Sequence, residues 1–393
     1  MKINFIAETK SPLWAGALLL GAGLLPSFSA LAQEAPAAES QLKLSGYVSL
    51  VGGKVLRGTL DQQYYANESP TSINGTACPC YVADWNNAGI YGSGFSLRPE
   101  SRIGVQAKYT INEQAGLTAQ LVSRGTKDSP DLAWAFASYK LNQNFELYLG
   151  RKRIPLYYYS DFQDIGVAYP WVSPPPELYG WEVTNYNGAS LRYNRSIGDA
   201  SLTASMFAGQ EKVNNSRYQT IYYPVGRTQV RWNNIIGGDV EVNQGPLTVR
   251  AVLMGADVHT VNRAGNTVDA NKAALRAYGV AANLDMDTWF VLSEFTQLTR
   301  KFTDYKVTDP ALTVGAGMRF GKWTPFINYA RFRERTTNSD LYTVGNYHRS
   351  SVSLRYDLSS SSALKAQIDR NVDDSNVLGG HSTVFRISYD RVF

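Results

Sequence analysis

The first candidates for chemistry in this chain of 393 residues are its three histidines, because imidazole is the most frequent general base in enzymes. They are His259, His348 and His381. Asp257 lies two residues before His259, and Ser350 lies two residues after His348. Residues at this spacing share one face of a strand, and such neighbours are common by chance. We therefore expect no catalytic residues and no enzymatic activity, and a hydrolytic enzyme is kept only as an alternative.

The two cysteines form a second candidate site. Cys78 and Cys80 are separated only by Pro79, and two thiols cannot build a disulfide framework. A local disulfide between them is an open possibility, and it would act as a clip within one loop. A structural zinc site needs about four ligands, and no histidine lies near the pair in sequence. The sequence therefore predicts no metal site and no cofactor.

The segment Lys152–Trp181 carries the most distinctive chemistry, because aromatic rings, carboxylates and prolines are concentrated in it. Its aromatic residues include Tyr157, Tyr158, Tyr159, Tyr169 and Trp171. Its acidic residues are Asp161, Asp164 and Glu177. Aromatic rings can stack against a solute, and carboxylates supply fixed negative charge. Long loops are usually functional or disordered, and so many aromatic residues argue against disorder.

The elements that must position these residues are strands, because apolar and polar residues alternate along most of the chain. From Arg102 to Ile111, for example, apolar side chains occupy the odd positions and mostly polar residues the even ones. Seven short polar turns alternate with longer connections and indicate about sixteen strands, with both ends of the chain on the short-turn side. The predicted turns are Asn112–Gly116, Leu141–Asn144, Ser196–Ala200, Asn243–Pro246, Asp285–Thr288, Phe320–Trp323 and Leu358–Ser362.

These features favour an all-β fold, a transmembrane antiparallel β-barrel with short periplasmic turns and long extracellular loops. In lipid an unpaired strand edge is costly, so the sheet must close on itself. The final strand fits closure, with Phe385, Ile387, Tyr389 and Phe393 on one face. A soluble sandwich or propeller would not separate short turns from long loops so regularly. We assign residues 41–393 to the barrel.

The chain begins with features of an export signal. Lys2 and Lys10 precede the apolar run Leu13–Leu25, and Ala30–Ala32 is a small-residue cleavage pattern. We interpret residues 1–32 as a cleaved signal peptide and 33–40 as a short leader. The apolar run is too short to span a bilayer comfortably. The net charge of only +5 gives no indication of a nucleic-acid partner.

Several segments, taken in order, resemble the trimeric general porins of Gram-negative bacteria. Ser101–Val105 resembles the second strand of that family, and Leu149–Arg151 resembles its fifth strand before the third loop. Met318–Phe326 resembles a late hairpin, and the terminal aromatic strand resembles the assembly signal of the family. The resemblance extends over Gln41–Phe393. The third loop departs from the family, since it lacks a Pro-Glu-Phe-Gly-like stretch.

The resemblance implies a water-filled channel for passive diffusion of ions and small hydrophilic solutes. It also implies that the loop at 152–181 folds inward, so that its acids face basic residues of the wall. Alternation independently points Arg102 and Arg192 inward. Arg151 has the phase of outward-facing residues, so it would point inward only if a bulge at Gly150 changed the phase or if the strand had already ended. The implied constriction comprises Arg102, Arg151, Arg192, Asp161, Asp164 and Glu177.

Two alternatives remain open. One is a substrate-selective outer-membrane channel with an aromatic constriction, and the other is an outer-membrane barrel enzyme.

The resemblance further implies a homotrimer in the cell outer membrane, in contact with lipid and lipopolysaccharide and inserted by the barrel-assembly machinery. A purely structural barrel or adhesin would tend to fill its lumen, and sixteen strands are hard to fill.

Overall fold

A computed structural model of the chain describes residues 41–59, 80–222, 226–375 and 380–393. The predicted signal peptide at 1–32, the leader at 33–40 and Cys78 lie outside these ranges. Within these ranges no helix is long and apolar enough to cross a membrane.

The strands follow the predicted alternation. Their bounds are β1 (Leu42–Thr59), β2 (Tyr81–Asp84), β3 (Gly89–Tyr91), β4 (Arg102–Thr110), β5 (Ala115–Arg124), β6 (Asp131–Lys140), β7 (Phe145–Arg153), β8 (Asn185–Ile197), β9 (Ala200–Val213), β10 (Arg227–Gln244), β11 (Leu247–Ala264), β12 (Thr267–Met286), β13 (Trp289–Lys301), β14 (Lys306–Met318), β15 (Trp323–Arg333), β16 (Arg335–Thr336), β17 (Asn346–Ser359), β18 (Ser362–Asp373) and β19 (His381–Val392). The described residues also form two short α-helices, α1 (Pro176–Tyr179) and α2 (Arg217–Tyr222).

The main sheet closes into an antiparallel barrel of sixteen strands, as predicted. Strand β1 pairs with β4 on one side and with β19 on the other, and the strands between them pair in sequence order. Strands β15 and β16 are two parts of one barrel strand, because both pair with β14. Strands β2 and β3 form a separate hairpin, which is not part of the barrel wall.

All seven predicted short turns connect neighbouring strands at one end of the barrel, here named the turn end. The opposite end, the loop end, is less uniform than the sequence suggests. Residues 154–184 form a long connection there, whereas only Gly265 and Asn266 join β11 to β12. Gly265 has a φ of 59°, a conformation that glycine adopts without strain and that a two-residue hairpin requires. The strands β11 and β12 are long instead, because their pairing continues up to this turn.

The two faces of the wall differ in polarity. On β4, Ile103 and Val105 point outward and are 46% and 49% exposed, whereas Arg102 and Gln106 point inward and are buried. The last strand repeats this arrangement, with Ile387 exposed and Arg386 buried. The period of two therefore gives the barrel an apolar exterior and a largely polar interior, as predicted.

Phe393 completes the ring of strands. Its N–H donates a hydrogen bond to the Gly46 carbonyl at 2.9 Å, and the Gly46 N–H donates to the Phe393 carbonyl at 2.7 Å. We expect deletion of Phe393 to lower the yield of folded barrel in membranes, because the unpaired groups would each cost several kcal/mol in lipid. The measurement is the heat-modifiable fraction on gels of outer membranes. The variant Arg391→Gln, on the same exposed face, is the control and should keep a normal yield, and equal yields for both variants would contradict the prediction.

Candidate functional site

The connection between β7 and β8, residues 154–184, runs through the interior of the barrel and is called the inward segment below. It contains two 3-10 turns, Ser160–Phe162 and Gly166–Ala168, followed by α1. Many of its side chains are buried in one apolar cluster with inward-facing residues of β8 to β15. The wall residues of this cluster include Trp232, Ile235, Val252, Met254, Leu275, Phe290, Leu298 and Phe326.

The aromatic residues singled out in the sequence pack within this cluster. The rings of Tyr159 and Trp171 lie edge to face with centroids 5.4 Å apart, and Trp171 meets Phe326 of the wall at 5.2 Å. Tyr157 and Tyr169 are also buried in it, and Tyr158 packs against its edge. These contacts fix the inward segment against the wall on the side of β10 to β15. Most of the rings are therefore used for packing.

A charged clamp holds the inward segment against the opposite side of the wall. The Asp164 carboxylate accepts two hydrogen bonds from Arg124, both at 2.8 Å, and is also ion-paired with Arg153. Arg102 donates from Nε to the Asp164 backbone carbonyl at 2.8 Å and from Nη2 to the Tyr169 hydroxyl at 2.6 Å. Burial disfavours the charge on Asp164, but the guanidinium groups of Arg124 and Arg153 outweigh burial and hold the pKa of Asp164 well below its ordinary value.

A second set of contacts fixes the turn at Gly166. Lys365 of β18 donates to the carbonyls of Gly166 and Trp171, both at 2.6 Å, and pairs with Asp390 at 3.1 Å. Gly166 lies so close to the wall that a β-carbon at this position would overlap the Asp390 carboxylate. Glycine therefore allows the segment to approach β19 directly.

Glu177 joins a buried network rather than an open pore lining. Its carboxylate lies 3.2 Å from Arg349, which also pairs with Asp369 at 3.1 Å. Asp369 in turn pairs with Arg386, and Arg386 pairs with Glu100 at 2.8 Å. These side chains are almost completely buried, so the network ties α1 to β17, β18 and β19.

The remaining charged groups meet on the side of β7 to β11. Lys152, Asp161, Arg192, Asp239 and Arg250 line a small cavity between the inward segment and the wall. Its volume of about 20 Å³ holds roughly one water molecule. Arg250 donates to the carbonyls of residues 155 and 157 at 2.7 and 2.9 Å and lies 3.3 Å from Asp239. We name this group of five side chains the charged passage.

A larger cavity of about 710 Å³ opens at the turn end. Tyr158 and Tyr159 of the inward segment lie at its inner side, together with Phe290 and Arg319 of the wall. Arg319 makes two hydrogen bonds to Asp285, at 2.6 and 2.9 Å. The inward segment thus separates a wide cavity at the turn end from the rest of the lumen.

The six residues expected at a constriction fall into four places. Arg102 and Asp164 belong to the clamp, Arg192 and Asp161 to the charged passage, and Glu177 to the buried network. Arg151 lies elsewhere, where it donates to the Leu132 carbonyl at 2.7 Å and pairs with Glu211. The pairing of β7 shows no register shift at Gly150, so the bulge considered for Arg151 is absent from this described strand.

Sequence reasoning missed several residues of the site. Arg124 and Arg153 of the clamp and Lys152 of the charged passage were not among the candidates. Asp239 and Arg250 were recognised as charged residues with the inward phase but were not assigned to the constriction. Alternation signals Arg250 and Asp239, since both have the inward phase on their strands. Arg153 carries no such signal, because it lies at the end of β7, where the chain turns inward.

The remaining candidates for chemistry are the histidines and the two cysteines. His348 pairs with Asp374 at 3.0 Å, and the His381 ring accepts a hydrogen bond from the Asp373 N–H at 3.3 Å. Cys80 is buried. Cys78 lies outside the described residues, so the clip between the two cysteines stays a prediction.

Comparison with known proteins gives likeness in structure alone. No family model and no curated protein matches the sequence. The fold is similar to the outer membrane channel DcaP of Acinetobacter baumannii, with 11% identity, a TM-score of 0.56 and coverage of 90% of this chain and 97% of that one. It is also similar to an anion-selective porin from Comamonas acidovorans, with 15% identity, a TM-score of 0.54 and coverage of 90% and 100%.

A third similar structure is OmpT, an outer membrane protein of Vibrio cholerae in a trimer form, with 10% identity and a TM-score of 0.54. The alignment covers 90% of this chain and 99% of that one. At such low identity the likeness concerns the fold and not the site. This chain has a closed sixteen-strand barrel fold similar to the folds of these outer-membrane proteins.

Proposed function

We propose that the chain is an outer-membrane channel through which ions and small hydrophilic solutes diffuse passively. The observation that carries this proposal is the charged passage, where fixed charges of the inward segment and of the wall strands β7, β8, β10 and β11 surround a narrow polar space. In a pore, fixed charges and radius together sort the solutes. The apolar exterior of the barrel supports a lipid environment.

The charged passage also favours a narrow and selective channel over a wide one. Residues of the inward segment pack on the wall from β10 to β15 and are clamped to β4, β5, β18 and β19, which leaves little lumen beside them. Most of the predicted aromatic rings are committed to this packing, so we assign selectivity to the charged side chains. Among the five aromatic residues predicted in the loop, Tyr158 and Tyr159 line the wide cavity at the turn end.

The proposal includes the cellular setting that the sequence suggests. Export through the signal peptide, insertion by the barrel-assembly machinery and contact with lipopolysaccharide are consistent with this location. A homotrimer is the assembly that we expect, and the trimeric form of the similar Vibrio protein supports it.

Purified protein in a planar lipid bilayer tests the channel directly. We expect discrete ohmic current steps in potassium chloride, and they should be smaller than those of a wide general pore. Liposome swelling in sugar solutions should be much slower than with a wide general pore, because the cavity of the charged passage holds roughly one water molecule. A folded, heat-modifiable protein that carries no current would overturn the proposal.

A further inference from the structure

The hairpin of β2 and β3 lies inside the barrel at the loop end, and both of its faces are buried. On one face, Tyr81, Ala83 and Tyr91 pack against Val55 of β1 and Val384 of β19. On the other face, Cys80, Val82 and Trp85 pack in a second apolar cluster with Ile221. A hairpin in a connection normally has one face in water. This hairpin is instead enclosed on both sides, and we call residues 80–91 the inner hairpin.

The two clusters connect opposite sides of the barrel mouth. Strands β1 and β19 are neighbours in the wall. Ile221 lies on α2, which belongs to the connection between β9 and β10, halfway around the ring of sixteen strands. Trp85 also contacts Tyr218 of α2 and Tyr347 at the start of β17, with ring centroids 6.0 and 5.9 Å apart. The inner hairpin therefore bridges the mouth.

The inner hairpin is also bound to the inward segment. The Asn86 side-chain amide donates to the carbonyls of Trp181 and Glu182 at 3.1 and 2.9 Å. Trp85 packs on Gly180, where a β-carbon would come within 2.6 Å of the indole ring. Arg349, which contacts Glu177, also donates to the Tyr81 hydroxyl at 3.1 Å. The two segments thus share contacts at both ends of α1.

We propose that the inner hairpin is a second closure of the channel, and that solutes pass when it detaches from the inward segment and from α2. This inference rests on the proposed channel function. The bonds of Asn86 connect the two inserted segments directly, so they set how often the mouth opens. Permeability is then controlled at two levels, by the inner hairpin at the loop end and by the charged passage below it.

The variant Asn86→Asp tests this closure with almost no change in side-chain size. A carboxylate cannot donate to the two carbonyl oxygens and is repelled by them, so the ratio of detached to docked hairpin should rise about ten-fold. The control is Asn144→Asp, because Asn144 makes the same kind of bond, to the Asn194 carbonyl at 2.8 Å, at the turn end. Single-channel recordings should show a higher open probability in Asn86→Asp alone.

A second variant keeps the test valid if Asn86→Asp folds poorly. Replacing residues 85–88 with two glycines removes Trp85 and Asn86 but retains β2 and β3, and it should raise the open probability further. Equal currents in the wild type and in a folded, heat-modifiable hairpin variant would overturn the closure and leave the channel function intact. Absence of current in the wild type and in every folded variant would overturn the channel function, and the closure with it.

Discussion

Replacing Asp164 with Asn should destabilise the barrel by about 3–5 kcal/mol, the usual result of removing one partner from a buried ion pair. The Asp164 side chain is only 7% exposed, and its carboxylate neutralises the guanidinium groups of Arg124 and Arg153. Arg102 also lies 3.6 Å from the carboxylate. The asparagine side chain accepts fewer hydrogen bonds and carries no charge, so three buried cations would face one another. We expect the inward segment to lose its fixed position as a result.

Urea unfolding in detergent, followed by tryptophan fluorescence, measures this loss, since Trp171 and Trp181 lie within the inward segment. The matched control is Asp131→Asn. Asp131 also pairs with Arg124, at 3.7 Å, but its side chain is 38% exposed. A partly exposed pair is worth about 1 kcal/mol or less. Similar unfolding midpoints for Asp164→Asn and the wild type would show that the clamp does not hold the segment.

The current through Asp164→Asn should distinguish a clamp from a selectivity group. If the carboxylate only holds the inward segment, conductance should rise as the segment loosens, while the ratio of anion to cation permeability changes little. A reversal potential that shifts towards anions at unchanged conductance would instead assign Asp164 to the permeation path.

Replacing Arg192 with Glu should shift the reversal potential in a salt gradient strongly towards cations. Arg192 lines the charged passage together with Asp161 and Asp239. One unit charge acts on an ion about 5 Å away with roughly 1 kcal/mol even in water, and with more inside protein. Reversing the charge doubles that effect, so the permeability ratio should change about ten-fold or more.

Two further variants complete the test of the charged passage. Asp161→Asn should shift the reversal potential in the opposite direction, towards anions, because it removes a negative charge from the same cavity. Arg195→Glu is the control, since Arg195 lies on the same strand as Arg192 but is exposed near the turn end. A surface charge there is screened by salt within about 10 Å at 0.1 M. Equal shifts for the variants at 192 and 195 would rule out the passage as the selectivity site.

The sequence by itself determined the wall of this protein. A period of two places each side chain on one face, so the inward positions of Arg102 and Arg192 and the outward position of Ile103 follow from local pattern. The predicted short turns are also local, because a few residues such as those from Phe320 to Trp323 set the reversal of the chain. The positions of the strands could therefore be predicted without knowledge of any distant contact.

Only the tertiary structure decided what occupies the lumen. The role of Asp164 depends on Arg124 and Arg153. Arg124 lies on β5, forty residues before Asp164 in the sequence. The inner hairpin was not predicted at all, because its short strands look like part of a long connection until the walls that bury them are known. Inserted segments are positioned by contacts between residues distant in sequence, and the local alternation of polar and apolar residues does not depend on those contacts.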